Sequence, residues 1–147
     1  MEKIALTVTF FGHKDAPTSL GERIYEILLD LICKKGAKNF LVGTHGNFDH
    51  LALSVLTRLK KQYPYIRCTV VLAYMPQGKR EVYNEMETVL PAEVTSAPPR
   101  FAIDRRNSYM LEKSDVVITY VMRSYGGAAK FKEMALSCGK RVIELSE

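Results

Sequence analysis

The chain has 147 residues, 47% apolar and 25% charged, with a net charge of +5. That is the make-up of one ordinary globular domain, and it excludes disordered, collagenous and low-complexity classes. No uninterrupted apolar run approaches the roughly 18–20 residues of a membrane-spanning helix.

The opening segment, Ile4 to Phe11, is β-branched and aromatic and ends at Gly12, which predicts a buried strand. Met1 to Phe11 has no basic leader and no small-residue cleavage site, so it reads as a strand rather than a signal peptide. Leu20 to Lys35 carries Leu20, Ile24, Ile27, Leu28, Leu31 and Ile32 at helical spacing. Thr18 or Ser19 can cap that helix and Gly36 can end it. Asn39 to Gly43 predicts a second strand, and Asp49 to Tyr63 a second helix, stopped by Pro64 and capped by Asn47 or Asp49. Ile66 to Tyr74 predicts a third strand.

The middle is less patterned. Lys79 to Glu87 predicts a short helix. Thr88 to Val94 predicts a short strand that Pro91 confines to a sheet edge, and Ser96 to Pro99 a turn. Phe101 to Lys113 is helical, and Asp115 to Val121 is a buried strand. Gly126-Gly127 opens a helix to Ser137, Gly139 ends it, and Arg141 to Leu145 is the last strand. No internal repeat interrupts this order.

Strand and helix alternate with short connections, so the expected fold is α/β: a Rossmann-like, doubly wound, mostly parallel sheet with helices on both faces, in one domain over residues 1–147. Such a sheet binds its ligand beyond the carboxyl ends of the strands, near the point where the strand order reverses. Four loops occupy that edge: Gly12 to Pro17, Gly43 to Asp49, Tyr74 to Lys79 and Val121 to Lys130.

The first loop carries Gly12, His13, Lys14 and Asp15, more polar chemistry than a turn requires; its glycine allows a tight turn or close ligand approach. The second carries Gly43, Thr44 and His45. His13, His45, Asp49 and His50 lack the spacing and the cysteine partners of a metal site, so none is expected. In the fourth, Gly126 and Gly127 between a strong strand and a helix expose backbone N–H groups at the helix's positive end, an anion site. It is neither a Walker A loop nor a GxGxxG turn, and no cofactor is implied. Arg106 sits in the first half of its helix and should lie towards the same edge. Five of the eight tyrosines, Tyr74, Tyr83, Tyr109, Tyr120 and Tyr125, are placed at or near that edge, where one or two can stack on a base. The three cysteines, Cys33, Cys68 and Cys138, have no motif spacing and read as reduced thiols of a cytoplasmic protein.

Phe10-Phe11-Gly12-His13-Lys14-Asp15, Pro98-Pro99-Arg100-Phe101-Ala102-Ile103, Arg106-Asn107, and Ser114 to Val121 followed by Gly126-Gly127-Ala128-Ala129-Lys130 resemble the YpsA-like DUF1273 branch of the SLOG superfamily. The resemblance spans nearly the whole chain. Relatives in that superfamily include the Lonely Guy phosphoribohydrolases, the DNA-processing proteins and sensor domains of bacterial conflict systems. It implies a Rossmann-like domain that binds a nucleotide or nucleotide-derived small molecule, in the role of a sensor. Gly12, His13, Lys14, Asp15, Gly43, Thr44, His45, Arg106, Asn107, Gly126, Gly127, Ala128 and Lys130 are the ligand contacts it suggests.

The enzyme relatives carry a PGGxGTxxE motif and a catalytic arginine. Against these, Gly126 and Gly127 match the glycine pair, Glu133 the glutamate and Arg106 the arginine. Tyr125, Ala129, Lys130 and Asn107 depart from the pattern. An N-glycosidic hydrolase of nucleoside monophosphates, with Arg106 and Glu133 catalytic, is therefore the alternative to simple binding. Single-stranded nucleic acid, suggested by the positive charge and the DNA-processing relatives, is a further one. No membrane partner is expected, and a homo-oligomer is left open.

Overall fold

The computed structural model describes residues 5–75 and 86–146. Strand β1 (Leu6–Gly12) is followed by a 3-10 turn, Thr18–Leu20, that runs into helix α1 (Gly21–Lys35). Strand β2 (Ala37–Val42), helix α2 (Gly46–Gln62) and strand β3 (Arg67–Val71) come next. Then follow strand β4 (Glu87–Val89), the one-turn helix α3 (Ala92–Thr95), helix α4 (Ala102–Lys113) and strand β5 (Val116–Tyr120). Helix α5 (Gly127–Ser137) and strand β6 (Arg141–Glu144) complete the order. Residues 79–85 of the predicted Lys79–Glu87 helix, Tyr83 among them, and most of the Tyr74–Lys79 loop lie outside the described residues; Glu87, its predicted last residue, is in strand β4 instead.

The six strands form one sheet in the order β4-β3-β2-β1-β5-β6, and every pair is parallel. The expected mostly parallel sheet is thus wholly parallel here. Side chains alternate across it as the two-residue period demands. Val8 and Phe10 of β1, Phe40 of β2 and Ile118 of β5 pack with Ile24, Leu28, Phe48 and Leu56 of α1 and α2. Phe11 and Val117 face the other way, against Met110 and Leu111 of α4 and Phe131 and Ala135 of α5. Both faces of the central strands are covered, which is why their sequences read as continuous apolar runs.

Several predicted boundaries shift, each for a tertiary reason. Neither Thr18 nor Ser19 caps α1 through its side chain; the 3-10 turn after Pro17 leads the chain in. Helix α2 starts three residues earlier than predicted. Asn47 does not cap it but donates from Nδ2 to the Ala16 carbonyl, while the Asp49 carboxylate reaches back to the His45 N–H at 3.0 Å. The strand predicted to reach Val94 stops at Val89. Pro91, with no N–H for a ladder, precedes helix α3 instead. Gly36 does end α1, in a left-handed conformation at φ 77°. Cys33, Cys68 and Cys138 are all free thiols. Among the described residues, no helix is long and apolar enough to cross a membrane.

Candidate functional site

The strand order places the reversal between β1 and β5. From β1 the chain winds outward through β2 and β3 to β4, then returns to add β5 and β6 on the other side. The loops after β1 and β5 therefore diverge to opposite faces and leave a crevice between them. A cleft of about 400 Å³ lies there, bordered by Phe10 to Lys14, His45, Asp49, Ile103, Arg106, Asn107, Arg123 and Tyr125 to Ala128.

Two connections hold the β1 and β5 loops together. His13 is 6% exposed, and its Nε2 accepts the N–H groups of Met122 at 2.8 Å and Arg123 at 3.3 Å. Its backbone N–H donates to the Tyr120 carbonyl at 3.3 Å. Burial, and then the Arg123 charge, hold the His13 pKa below the usual histidine value, which keeps Nε2 free of a proton and able to accept. Arg123 also grips Asp15 with both terminal nitrogens, at 2.9 and 3.1 Å. His13 and Asp15, read from the sequence as ligand contacts, thus have structural partners; only His13 borders the cleft.

Gly12 has a packing reason. A Cβ at this position would lie 2.2 Å from Cγ of Phe48, so the ring of α2 occupies the space of the missing side chain. The strand-end glycine thus makes room for a core phenylalanine, and it also borders the cleft. Gly43 and Thr44 lie behind the cleft. A Cβ at Gly43 would sit 2.8 Å from Asp49 Oδ2 and 2.9 Å from Arg106 Nη1, and Thr44 Oγ1 faces Arg106 Nη1 at 3.4 Å.

Arg106 is the central charge. It is 2% exposed, yet it borders the cleft. Its Nη1 donates to the Val71 carbonyl at 3.3 Å, and its Nε to Asn107 Oδ1 at 2.8 Å. Helix α4 runs back towards the start of β5, so its first half does reach the carboxyl edge, as the sequence predicts. Opposite stands Asp49, 9% exposed. Burial pushes its pKa up to about 6, against the pull of Arg106 and the His45 N–H. Burial, then Arg106 and Lys14, lowers the pKa of His45.

Gly126 takes φ 97° and turns the chain into α5. The first intrahelical bond runs from the Lys130 N–H to the Gly126 carbonyl at 3.0 Å. The N–H groups of Gly127, Ala128 and Ala129 therefore have no acceptor among the described residues, and Gly127 and Ala128 border the cleft. A Cβ built on Gly126 or Gly127 meets nothing within 4 Å. Lys14 borders the cleft with no ion pair among the described residues.

Lys130 points elsewhere, pairing with Asp104 at 2.8 Å, and does not border the cleft. Glu133 is exposed and outside the cleft, so Arg106 and Glu133 are not brought together. The acidic neighbour of Arg106 is Asp49, which the sequence pattern presents as a helix cap. Of the aromatics, Tyr125 borders the cleft at 70% exposure, and Tyr74 stands 6.3 Å from His45, ring to ring. Tyr120 packs on Phe48 and His13. Tyr109 lies in a separate groove with Thr7, Asn39 and Arg67, near the amino ends of the strands.

No family model matches the chain. No curated protein matches it. Among solved structures it is similar to DNA processing protein A (DprA) from Streptococcus pneumoniae, with a TM-score of 0.67 at 15% identity. The match covers 95% of this chain and 50% of DprA, so the chain spans half the length of that protein. At this identity the likeness is one of architecture: the chain has a Rossmann-like, DprA-like α/β fold.

Proposed function

We propose that the chain is a single SLOG-type domain of the YpsA-like DUF1273 branch that binds a nucleotide or nucleotide-derived small molecule in the β1–β5 cleft, as a cytoplasmic sensor. The observation that carries this reading is the row of three N–H groups at Gly127, Ala128 and Ala129, unclaimed among the described residues at the strand-order reversal. Their partial positive charge, added to the helix dipole, suits a phosphate. Lys14, with no ion pair among the described residues, adds a cation to the same cleft. Sugar and base then extend towards His13, His45 and the exposed ring of Tyr125. Binding without turnover is the form preferred, because Glu133 lies outside the cleft and Lys130 is engaged by Asp104.

The test is thermal unfolding with a panel of nucleoside monophosphates. A ligand at about 100 times its Kd adds about 2.7 kcal/mol, or a rise of roughly 5–10 °C for a chain of this size. Gly127→Asp should abolish the rise while the variant folds, since its side chain enters open space and its charge takes the phosphate's place. A full response by the variant would place the site elsewhere. Chromatography of the same mixtures should show intact nucleotide. Free base released at about 1 per second or faster would establish the hydrolase instead. Oligonucleotide binding that survives Gly127→Asp and weakens steeply with salt would favour nucleic acid.

A further inference from the structure

Resting on the nucleotide reading, we infer that Asp49 and Arg106 together form a ribose-recognition pair, which makes the site selective for ribonucleotides over 2′-deoxyribonucleotides. The two side chains carry opposite charges and flank one point beside Gly43, at 2.8 and 2.9 Å, yet they form no ion pair. Each is tethered away from the other. Asp49 Oδ2 is held by the His45 N–H, and Arg106 Nη1 and Nε are held by Thr44, Val71 and Asn107. What remains, among the described residues, is one free acceptor, Asp49 Oδ1, and one free donor nitrogen, Arg106 Nη2. Among the described residues no side-chain polar atom is both sealed from solvent and unbonded. Both free atoms therefore keep some exposure, and both residues border the cleft.

A buried acceptor beside a buried donor, with a gap between them, matches a group that donates and accepts at once. A hydroxyl does this, and the vicinal hydroxyls of ribose do it as a pair: one donates to Asp49 Oδ1 while the other accepts from Arg106 Nη2. An exocyclic amine of a base only donates. It would satisfy Asp49 and turn its hydrogens on Arg106. A phosphate would suit Arg106 but set its charge against Asp49. Asp49 of α2, Arg106 of α4 and the Gly127 and Ala128 start of α5 border the same cleft, so one ligand can meet all of them.

The experiment measures Kd by titration calorimetry for AMP, GMP, CMP and UMP and for their 2′-deoxy forms. Removing a hydrogen bond to a buried charge should weaken binding about tenfold or more for the deoxy series. In Asp49→Asn the ribo-to-deoxy ratio should fall below about threefold, since the neutral amide is a weaker acceptor. The wild-type ratio tests the inference without any variant. Equal affinity for ribo and deoxy forms would overturn it and leave the nucleotide reading standing. Selectivity that follows the amino groups of the bases, and not the sugar, would overturn it too. An absence of binding by either series would overturn both readings.

Discussion

Replacing Asp49 by asparagine should stabilise the protein at neutral pH. In the unfolded chain this carboxyl titrates near 3.8, and in the folded protein burial raises it to about 6. The folded state thus holds the proton more tightly than the unfolded state does. Stability from this group is fully present below about pH 4 and is lost as pH rises through about 6. Two units of displacement correspond to about 3 kcal/mol. Asparagine is neutral at every pH and avoids that loss, though its oxygen is a weaker acceptor for the His45 N–H. The net expectation is a gain of about 1–3 kcal/mol at pH 7, or roughly 2–4 °C in Tm for each kcal/mol. Urea unfolding of both proteins, at several pH values between about 4 and 7.5, checks this. The difference between them should vanish at the acid end and grow to its full size by neutrality. An Asp49→Asn protein less stable than wild type at pH 7, or a gap that does not change with pH, would refute the reasoning.

Two further substitutions test the frame around the cleft. Gly12→Ala would push a methyl group to 2.2 Å from the fully buried Phe48 ring, and should cost about 1–3 kcal/mol in urea unfolding. Phe48→Leu should be less harmful when combined with Gly12→Ala than in the wild type, and simple additivity would contradict the clash. Glu144 is drawn to a pKa of about 2: burial pushes it up, but bonds from Thr119, the Val121 N–H, Lys132 and Ser146 more than reverse that. Its contribution is present above the ordinary value of 4.5 and is lost as pH falls towards 2. Glu144→Gln should therefore cost about 2–3 kcal/mol at pH 7, with the deficit closing in acid. A deficit independent of pH would mean that packing rather than charge is responsible.

The elements that pack on both faces of the sheet are legible in the sequence. Val116 to Tyr120 is apolar because both of its faces are covered, and no competing pattern obscures it. Arg106 falls at the correct edge because a helix feeding a parallel strand must start where the previous strand ended. The helix starts are harder to read, because their contacts are not local. Asn47 bonds to Ala16, 31 positions away in sequence, and no local cap rule anticipates that. The early start of α2 then draws Asp49 into the first turn, facing Arg106, which lies far along the chain. Nothing in Gly43 to His50 announces that juxtaposition. A lone aspartate after a strand looks like a cap, and as an acceptor for the His45 N–H it partly is one. Gly12 has a further reason that a strand-end glycine does not announce: it makes room for Phe48, a contact from α2.

The cleft concentrates groups that a merely structural sheet edge has no reason to hold. Arg106 is among the largest fully buried side chains, and burying a guanidinium is costly unless a counter-charge meets it. Asp49 is close enough to influence it, but the two are kept from ion-pair contact by partners on four separate residues: His45, Thr44, Val71 and Asn107. Closing the gap would stabilise the empty fold, as would exchanging Asp49 for a neutral residue. Three N–H groups stand uncapped at the start of α5, two of them bordering the same cleft, where a serine or aspartate at the helix start would satisfy one of them. Each of these features costs stability alone, and each would be relieved by the proposed ligand, with an anion at one end and hydroxyls at the other. Their convergence at the one place where a doubly wound sheet opens a crevice is the strongest argument that the edge is a binding site.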